Sequence, residues 1–309
     1  MEIINSGYPF CLNSETAATI GFFDGVHAGH RFLIEQLKRQ ADMRQLPSVV
    51  ITFLQHPQSV LQSGFQPELL NTLNERLERL SLTGIDCCLL LDFTLPFSQL
   101  SAKDFIQKKL REEWHVKFLL TGYDHRFGKN REESFGDYVK YGKEYGMEIV
   151  QASELSGFPV SSTLIRNCLL ENKLKEANQM LSYFYRLEGK IIEGDRLGRK
   201  IGFSTANLEI NDIHKIIPGE GIYASRIHWN QKKYGGMVYI GKRPTITARG
   251  EKRIEANLFD FSGDLYGETL RLEFVEFLHK DKQFESVDGL RKQLFADKEM
   301  ALAALAEKI

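Results

Sequence analysis

Two rhythms of apolar residues divide this chain, and they limit its fold more than any other feature. Up to about residue 183, short apolar runs alternate with stretches in which apolar side chains recur every three or four positions. Residues 17–22 (AATIGF), 48–53 (SVVITF), 87–91 (CCLLL) and 117–120 (KFLL) read as strands covered on both faces. Between them, residues 30–44, 74–82 and 102–111 carry helical spacing, the first through Phe32, Leu33, Leu37 and Ala41. This alternation predicts an α/β domain built on an open, parallel, Rossmann-like sheet with right-handed crossovers. A last helix is expected over residues 164–181, with the boundary near Tyr183.

Beyond that point the period changes to two. Residues 186–192, 221–229, 234–240, 253–259 and 270–277 are short strand candidates separated by turn residues. In the last of them Arg271, Glu273 and Glu276 stand against Leu272, Phe274 and Val275. Half-buried alternation of this kind predicts antiparallel strands in a barrel or sandwich. Residues 286–309 close the chain as a helix, with Ser286 and Asp288 offered as N-caps. A length of 309 residues accommodates two cores, expected over 1–183 and 184–309.

Composition narrows the function classes. A formal net charge of -1 supplies no basic field for tracking a nucleic-acid backbone, so nucleic acid is not an expected partner. Cysteines at 11, 87, 88 and 168 form no C-x-x-C or zinc spacing, which suits reduced thiols in a cytosolic protein. The first residues lack a basic and an apolar leader region, and no apolar run reaches membrane-spanning length. The expectation is a soluble, cytoplasmic protein without a membrane partner. Oligomeric state is left open.

Chemistry is first signalled after the opening strand, where the chain reads GFFDGVHAGHRFL from Gly21 to Leu33. Two histidines, His27 and His30, sit where a loop enters a helix, and unpaired N–H groups at a helix start favour phosphate. Gly25 and Gly29 permit close backbone approach, and imidazoles can donate to phosphate oxygens as charge builds. Gly21, Phe23 and Asp24 belong to the same candidate nucleotide loop. Taken singly, these could be two surface histidines beside a turn. Three later segments add to them: TFLQHP ending in His56-Pro57, GYDHRFGKNR from Gly122, and SSTLIR from Ser161 to Arg166.

In this order, H-x-G-H, Gly-x-Asp-x-x-Phe-Gly and Ser-Ser-Thr-x-x-Arg resemble the adenylyltransferase half of the prokaryotic FAD synthetases. That resemblance implies a nucleotidyltransferase-type domain, with FMN adenylylated by ATP to give FAD. It implies that His27 and His30 hold ATP phosphates and that Ser161, Ser162, Thr163 and Arg166 grip the triphosphate. It sets Asp124 near the reacting phosphates, Phe127 against the flavin ring and His56 in the nucleotide pocket. The family's Pro-His-Pro is Gln55-His56-Pro57 here.

A second constellation lies in the strand-rich half. GDRLGRKIGFSTANL, from Gly194 to Leu208, is a glycine-bearing loop with Arg196, Arg199 and Lys200 that runs into Thr-Ala-Asn and a strand. Gly198 and its neighbours allow amides to reach phosphate, and a threonine hydroxyl is a hard oxygen ligand for Mg²⁺. Alone it would be a basic hairpin loop. YIGKRPT (239–245), RIEANLFD (253–260) and DLYGE (264–268) follow in the order of the riboflavin kinases, which the second half resembles. By that resemblance Thr205 and Asn207 bind Mg²⁺ and ATP phosphates, and Glu255 is the general base on the riboflavin 5′-hydroxyl. Ser204 replaces a proline, Asn257 a histidine and His279 an arginine of the usual pattern.

The resemblance covers nearly the whole chain and implies synthesis of FAD from riboflavin with ATP and Mg²⁺. Two other readings stay open at this point. One is a monofunctional FMN adenylyltransferase with an inactive kinase-like domain; the other is a non-catalytic flavin-binding regulatory protein.

Overall fold

The computed structural model describes residues 1–5, 14–123, 126–129, 132–157, 159–193, 203–242, 252–282 and 284–306. The chain forms two compact units, Met1–Ser161 and Ser162–Ile309.

The first unit holds a six-stranded sheet made of β1 (Glu2–Asn5), β2 (Thr16–Ile20), β3 (Ser48–Phe53), β4 (Cys87–Leu91), β5 (Val116–Thr121) and β6 (Glu148–Gln151). Their order is β1-β4-β3-β2-β5-β6, and every pairing is parallel. β2, β3 and β4 are buried at every residue, the threonines of β2 and β3 and Ser48 included, as strands covered on both faces are. β1 and β6 are short edge strands that the sequence pattern did not announce. Strand order reverses between β2 and β5, so the carboxyl ends there frame the crevice where open α/β sheets take ligands.

Two of the expected helices differ from expectation. Residues 102–111 are helical, but after one short α-helical turn (Ala102–Asp104) the segment Phe105–Glu113 winds as a π-helix. Nothing in its local sequence marks the wider winding. The helix expected over 164–181 is two helices, Ser162–Leu170 and Leu174–Leu181, both in the second unit. Asn172 breaks them at φ 63°, in the left-handed region that asparagine enters at low cost. Its amide then fastens the break by donating to the Glu220 carbonyl at 3.2 Å and accepting from the Tyr223 hydroxyl at 2.7 Å.

The second unit is a closed antiparallel barrel of six strands in the order β10-β11-β8-β7-β12-β9. They are β7 (Tyr185–Ile192), β8 (Ala206–Glu209), β9 (Gly221–Trp229), β10 (Lys232–Lys242), β11 (Lys252–Leu258) and β12 (Thr269–His279). Closure removes the exposed edges that six short strands would otherwise present. Asn230 and Gln231, at φ 46° and 63°, make the two-residue turn between β9 and β10, the geometry that matches strand twist. Along β11, Ile254, Ala256 and Leu258 are buried while Arg253, Glu255 and Asn257 project from the other face. The closing helix Val287–Ala306 is the expected tail. Its Ala301 and Ala304 pack with Phe203, Ala224, Met237 and Phe259.

Candidate active sites

In the first unit the chain leaves β2 through an unusually tight turn. Phe23, Gly25 and Val26 have φ of 57°, 83° and 38°, so three left-handed residues fall within four positions. A β-branched valine there is strained, and strain of this kind gathers at functional turns. The turn delivers His27 as N-cap of the helix Ala28–Arg44, its Nδ1 accepting the His30 N–H at 3.3 Å. The two imidazoles lie flat on one another, with ring centres 3.6 Å apart and planes 15° from parallel. His30 Nδ1 is buried and has no hydrogen-bond partner, the condition of an atom aimed at a ligand. Burial, and then the charge of His27, hold the His30 ring well below its ordinary pKa of 6.5, so it is neutral at pH 7. Gly29 sits in a tight place: a Cβ there would stand 3.3 Å from the side chains of His27 and Val160. A Cβ on Gly21 would stand 3.1 Å from the Phe23 ring.

Asp24 is buried within the turn. Its buried carboxylate accepts the backbone N–H groups of Leu70 and Asn71 at 3.0–3.1 Å, which ties the turn to a distant loop. Phe127 packs among aromatic rings. Its ring stacks on Tyr138 at 4.2 Å and packs edgewise on Phe105, leaving 8% of the residue exposed. A phenylalanine so placed packs with the core of the first unit. His56 follows β3 and caps the short helix Pro57–Leu61, its ring edge on Phe22 at 4.7 Å. Asp124 lies outside the described residues.

Sequence reasoning missed Arg76. Only 2% exposed, it reaches from the helix Leu73–Ser81 to donate to the Phe22 and Phe53 carbonyls at the ends of β2 and β3. Its guanidinium also covers the Phe22 ring at 4.1 Å. Burial lowers its pKa to about 10 against the opposing pull of Asp24 and Cys88, so it stays charged at neutral pH. Ser161 ends the first unit. Ser162 and Thr163 open the helix Ser162–Leu170 of the second, with Arg166 one turn later on the same side.

In the second unit the barrel collects its own group. Glu255 on β11 lies directly opposite Asn207 on β8. Thr205 donates its hydroxyl to Glu255 Oε2 at 2.8 Å. Arg253, not singled out in the sequence, places Nε 2.5 Å from Glu255 Oε1 and 3.2 Å from Asn207 Oδ1. Thr205 and Asn207 line a cavity of about 1020 Å³, together with Asn257, Asp264, Tyr266 and Phe295. Tyr239, opposite Glu255 on β10, donates to Asp281 at 2.9 Å, and burial first pushes its pKa up to about 12. Gly198 and Arg199, with Arg196 and Lys200, lie outside the described residues.

The three departures from the kinase pattern find partners of their own. Asn257 donates to the Ser204 carbonyl at 2.7 Å. His279 bridges the Lys280 carbonyl and the buried carboxylate of Asp297, at 2.7 and 2.8 Å. Neither contact displaces Thr205, Asn207 or Glu255 from the group.

Comparison with known proteins bears on both halves. The family model of FAD synthetase matches residues 11–164, and that of riboflavin kinase matches residues 181–305. A bifunctional riboflavin kinase/FMN adenylyltransferase of Listeria monocytogenes is 35% identical over 290 residues, covering 93% of this chain and 92% of that one. The protein of the same description from Escherichia coli K12 is 35% identical over 282 residues, covering 90% and 89%. A solved structure described as a macrolide-efflux protein from Streptococcus pneumoniae superposes with a TM-score of 0.87 at 31% identity, over 97% of this chain and 99% of that one. Among the described residues no helix is long and apolar enough to cross a membrane. With two family models matched in succession and full-length relatives of the same two-part build, the chain belongs to the bifunctional riboflavin kinase/FMN adenylyltransferase family.

Proposed function

We propose that this chain makes FAD from riboflavin in two ATP-dependent steps, one carried by each of its two domains. The observation that carries the reading is the gathering of Thr205, Asn207 and Glu255 beside a large cavity, despite the changes at Ser204, Asn257 and His279. Thr205 and Asn207 line that cavity, and the Thr205 hydroxyl is held by Glu255, which sets a carboxylate next to oxygens that can hold phosphate.

In the first reaction the riboflavin 5′-oxygen attacks the γ-phosphorus of ATP, its proton passing to Glu255, and ADP leaves. Thr205 and Asn207 position the phosphates. Their hydroxyl and amide oxygens suit Mg²⁺, which takes one or two protein oxygens plus substrate phosphates rather than an all-protein cage. When bound, the ion would neutralise charge on the phosphate oxygens.

In the second reaction an FMN phosphate oxygen attacks the α-phosphorus of a second ATP and pyrophosphate leaves, with no covalent enzyme intermediate. His27 and His30 meet the phosphates at the helix start, where backbone amides add to the donation. The gripping role of Ser161, Ser162, Thr163 and Arg166 completes this reading, with Asp124 beside the reacting phosphates and Gly198 and Arg199 in the kinase loop. The domains are assigned as 1–183 for adenylylation and 184–309 for phosphorylation. We place the reactions in the cytoplasm, where ATP and free thiols such as Cys87 and Cys88 coexist.

The test incubates purified protein with ATP and Mg²⁺, with riboflavin or FMN, and separates the flavins by chromatography. Riboflavin advancing to FMN and FAD supports both steps. FAD from FMN alone would leave the barrel without its reaction, and no product from either flavin would favour a binding protein.

A further inference from the structure

β11 carries Arg253 and Glu255 two residues apart, so both project from one face of the strand. Pairing with β8 brings Asn207 opposite Glu255 on that face. Arg253 Nε reaches both, 2.5 Å from the carboxylate and 3.2 Å from the amide oxygen. Both partners are shielded: the side chains of Arg253 and Glu255 are 27% and 16% exposed. One cation thus joins two groups that phosphoryl transfer uses for opposite ends of the reaction. Arg253 and Glu255 share β11, so the contact that crosses strands is the one from Arg253 to Asn207 on β8, and the carboxylate it holds also accepts the Thr205 hydroxyl.

Resting on the reading of Glu255 as base and of Thr205 and Asn207 as phosphate holders, we propose that Arg253 is a further catalytic residue of riboflavin phosphorylation. The attacking 5′-oxygen must lie within hydrogen-bond reach of Glu255. The γ-phosphate must lie against the oxygens of Thr205 and Asn207. The group passing between those points crosses the ground that Arg253 spans. As the new O–P bond forms, the bond from γ-phosphorus to the β-phosphate oxygen breaks, its electron pair leaves on ADP, and the hydroxyl proton goes to Glu255. Negative charge spreads meanwhile over three equatorial oxygens, and a permanently charged, planar fork of N–H donors matches them. Lysine would bring the charge without the fork.

The experiment compares full-length wild type with Arg253→Gln, Arg253→Lys, Glu255→Gln and Asn207→Ala. FMN formation, FMN adenylylation and calorimetric binding of ADP are measured, the last with riboflavin and Mg²⁺, with and without fluoroaluminate as a mimic of the transferring phosphoryl group. For Arg253→Gln, kcat for FMN formation is expected to fall roughly 1000-fold, the scale on which a catalytic arginine acts. Its KM for riboflavin should change by no more than about threefold, since the lost contact is made in the transition state. ADP should bind as to wild type while the gain from fluoroaluminate disappears, Arg253→Lys should recover part of the rate, and adenylylation should not change. Arg253→Gln within about threefold of wild type, with Glu255→Gln inactive, would overturn the proposal and leave the base assignment standing. A loss matched by equally weakened ADP binding would reduce Arg253 to a strand tether and overturn it as well. Full activity in both Glu255→Gln and Asn207→Ala would remove the site reading and the proposal with it.

Discussion

The side-chain amide of Asn257 donates to the carbonyl of Ser204 at 2.7 Å, so two positions at which this chain leaves the usual kinase pattern touch each other. A proline at 204 would fix φ and preset the approach to Thr205. Here a cross-strand tether from β11 holds the same segment.

Asn257→Ala therefore loosens the approach to Thr205. One neutral hydrogen bond contributes about 1 kcal/mol, which corresponds to a rise of roughly fivefold in the KM for ATP in FMN formation. FMN adenylylation in the same chain should be unchanged. Steady-state kinetics with riboflavin and with FMN checks both, and an unaltered KM for ATP would show that the tether is idle.

The fold was legible where one strand or helix carries its own signal, and obscure where a role depends on a distant partner. β2 to β5 were read because buried parallel strands are continuous apolar runs. The barrel was read because one face of each strand is wet. The break at Asn172 was missed because an asparagine with left-handed φ looks like any other asparagine inside a helical pattern. The stack of Phe127 on Tyr138 was not legible, because an aromatic after a glycine-bearing loop has the same sequence whatever it stacks on. Of the arginines in NERLERL, nothing local says that Arg76 turns inward to the carbonyls of Phe22 and Phe53. Arg253 gains its neighbours only through the register of β8 with β11.

Core packing of Phe127 yields a clear contrast with a ligand role. Phe127→Ala should destabilise the protein by about 3–5 kcal/mol, the usual cost of deleting a buried phenyl ring. Denaturant unfolding measures it. A variant of unchanged stability with weakened FMN binding would return Phe127 to the flavin.

Arg76 joins the ends of β2 and β3, between which the H-x-G-H turn and the His56 loop depart. Hydrogen bonds from a charged donor are worth about 1.5–3 kcal/mol each, so Arg76→Met should cut FMN adenylylation by about tenfold or more. FMN formation on the barrel should persist. Equal loss of both activities would mean general misfolding rather than a misplaced turn.

His30 gives the first unit a pH dependence of predictable sign. Its folded-state pKa lies well below 6.5, so between those values the unfolded chain takes up a proton that the folded chain refuses. Stability is then unaffected by His30 above pH 6.5 and falls as the pH drops below it. The denaturation midpoint of wild type should fall more steeply than that of His30→Asn between pH 7 and about pH 5.5. Parallel profiles would place the His30 ring in an ordinary aqueous setting.

The most direct test of the whole account is the separation of the two activities by Glu255→Gln. Wild type and variant are each given ATP, Mg²⁺ and either riboflavin or FMN, and the flavins are resolved over time. The account predicts that wild type carries riboflavin through FMN to FAD, while Glu255→Gln leaves riboflavin untouched and still converts FMN to FAD. Wild type that never phosphorylates riboflavin, or a variant that does so at the wild-type rate, would contradict it.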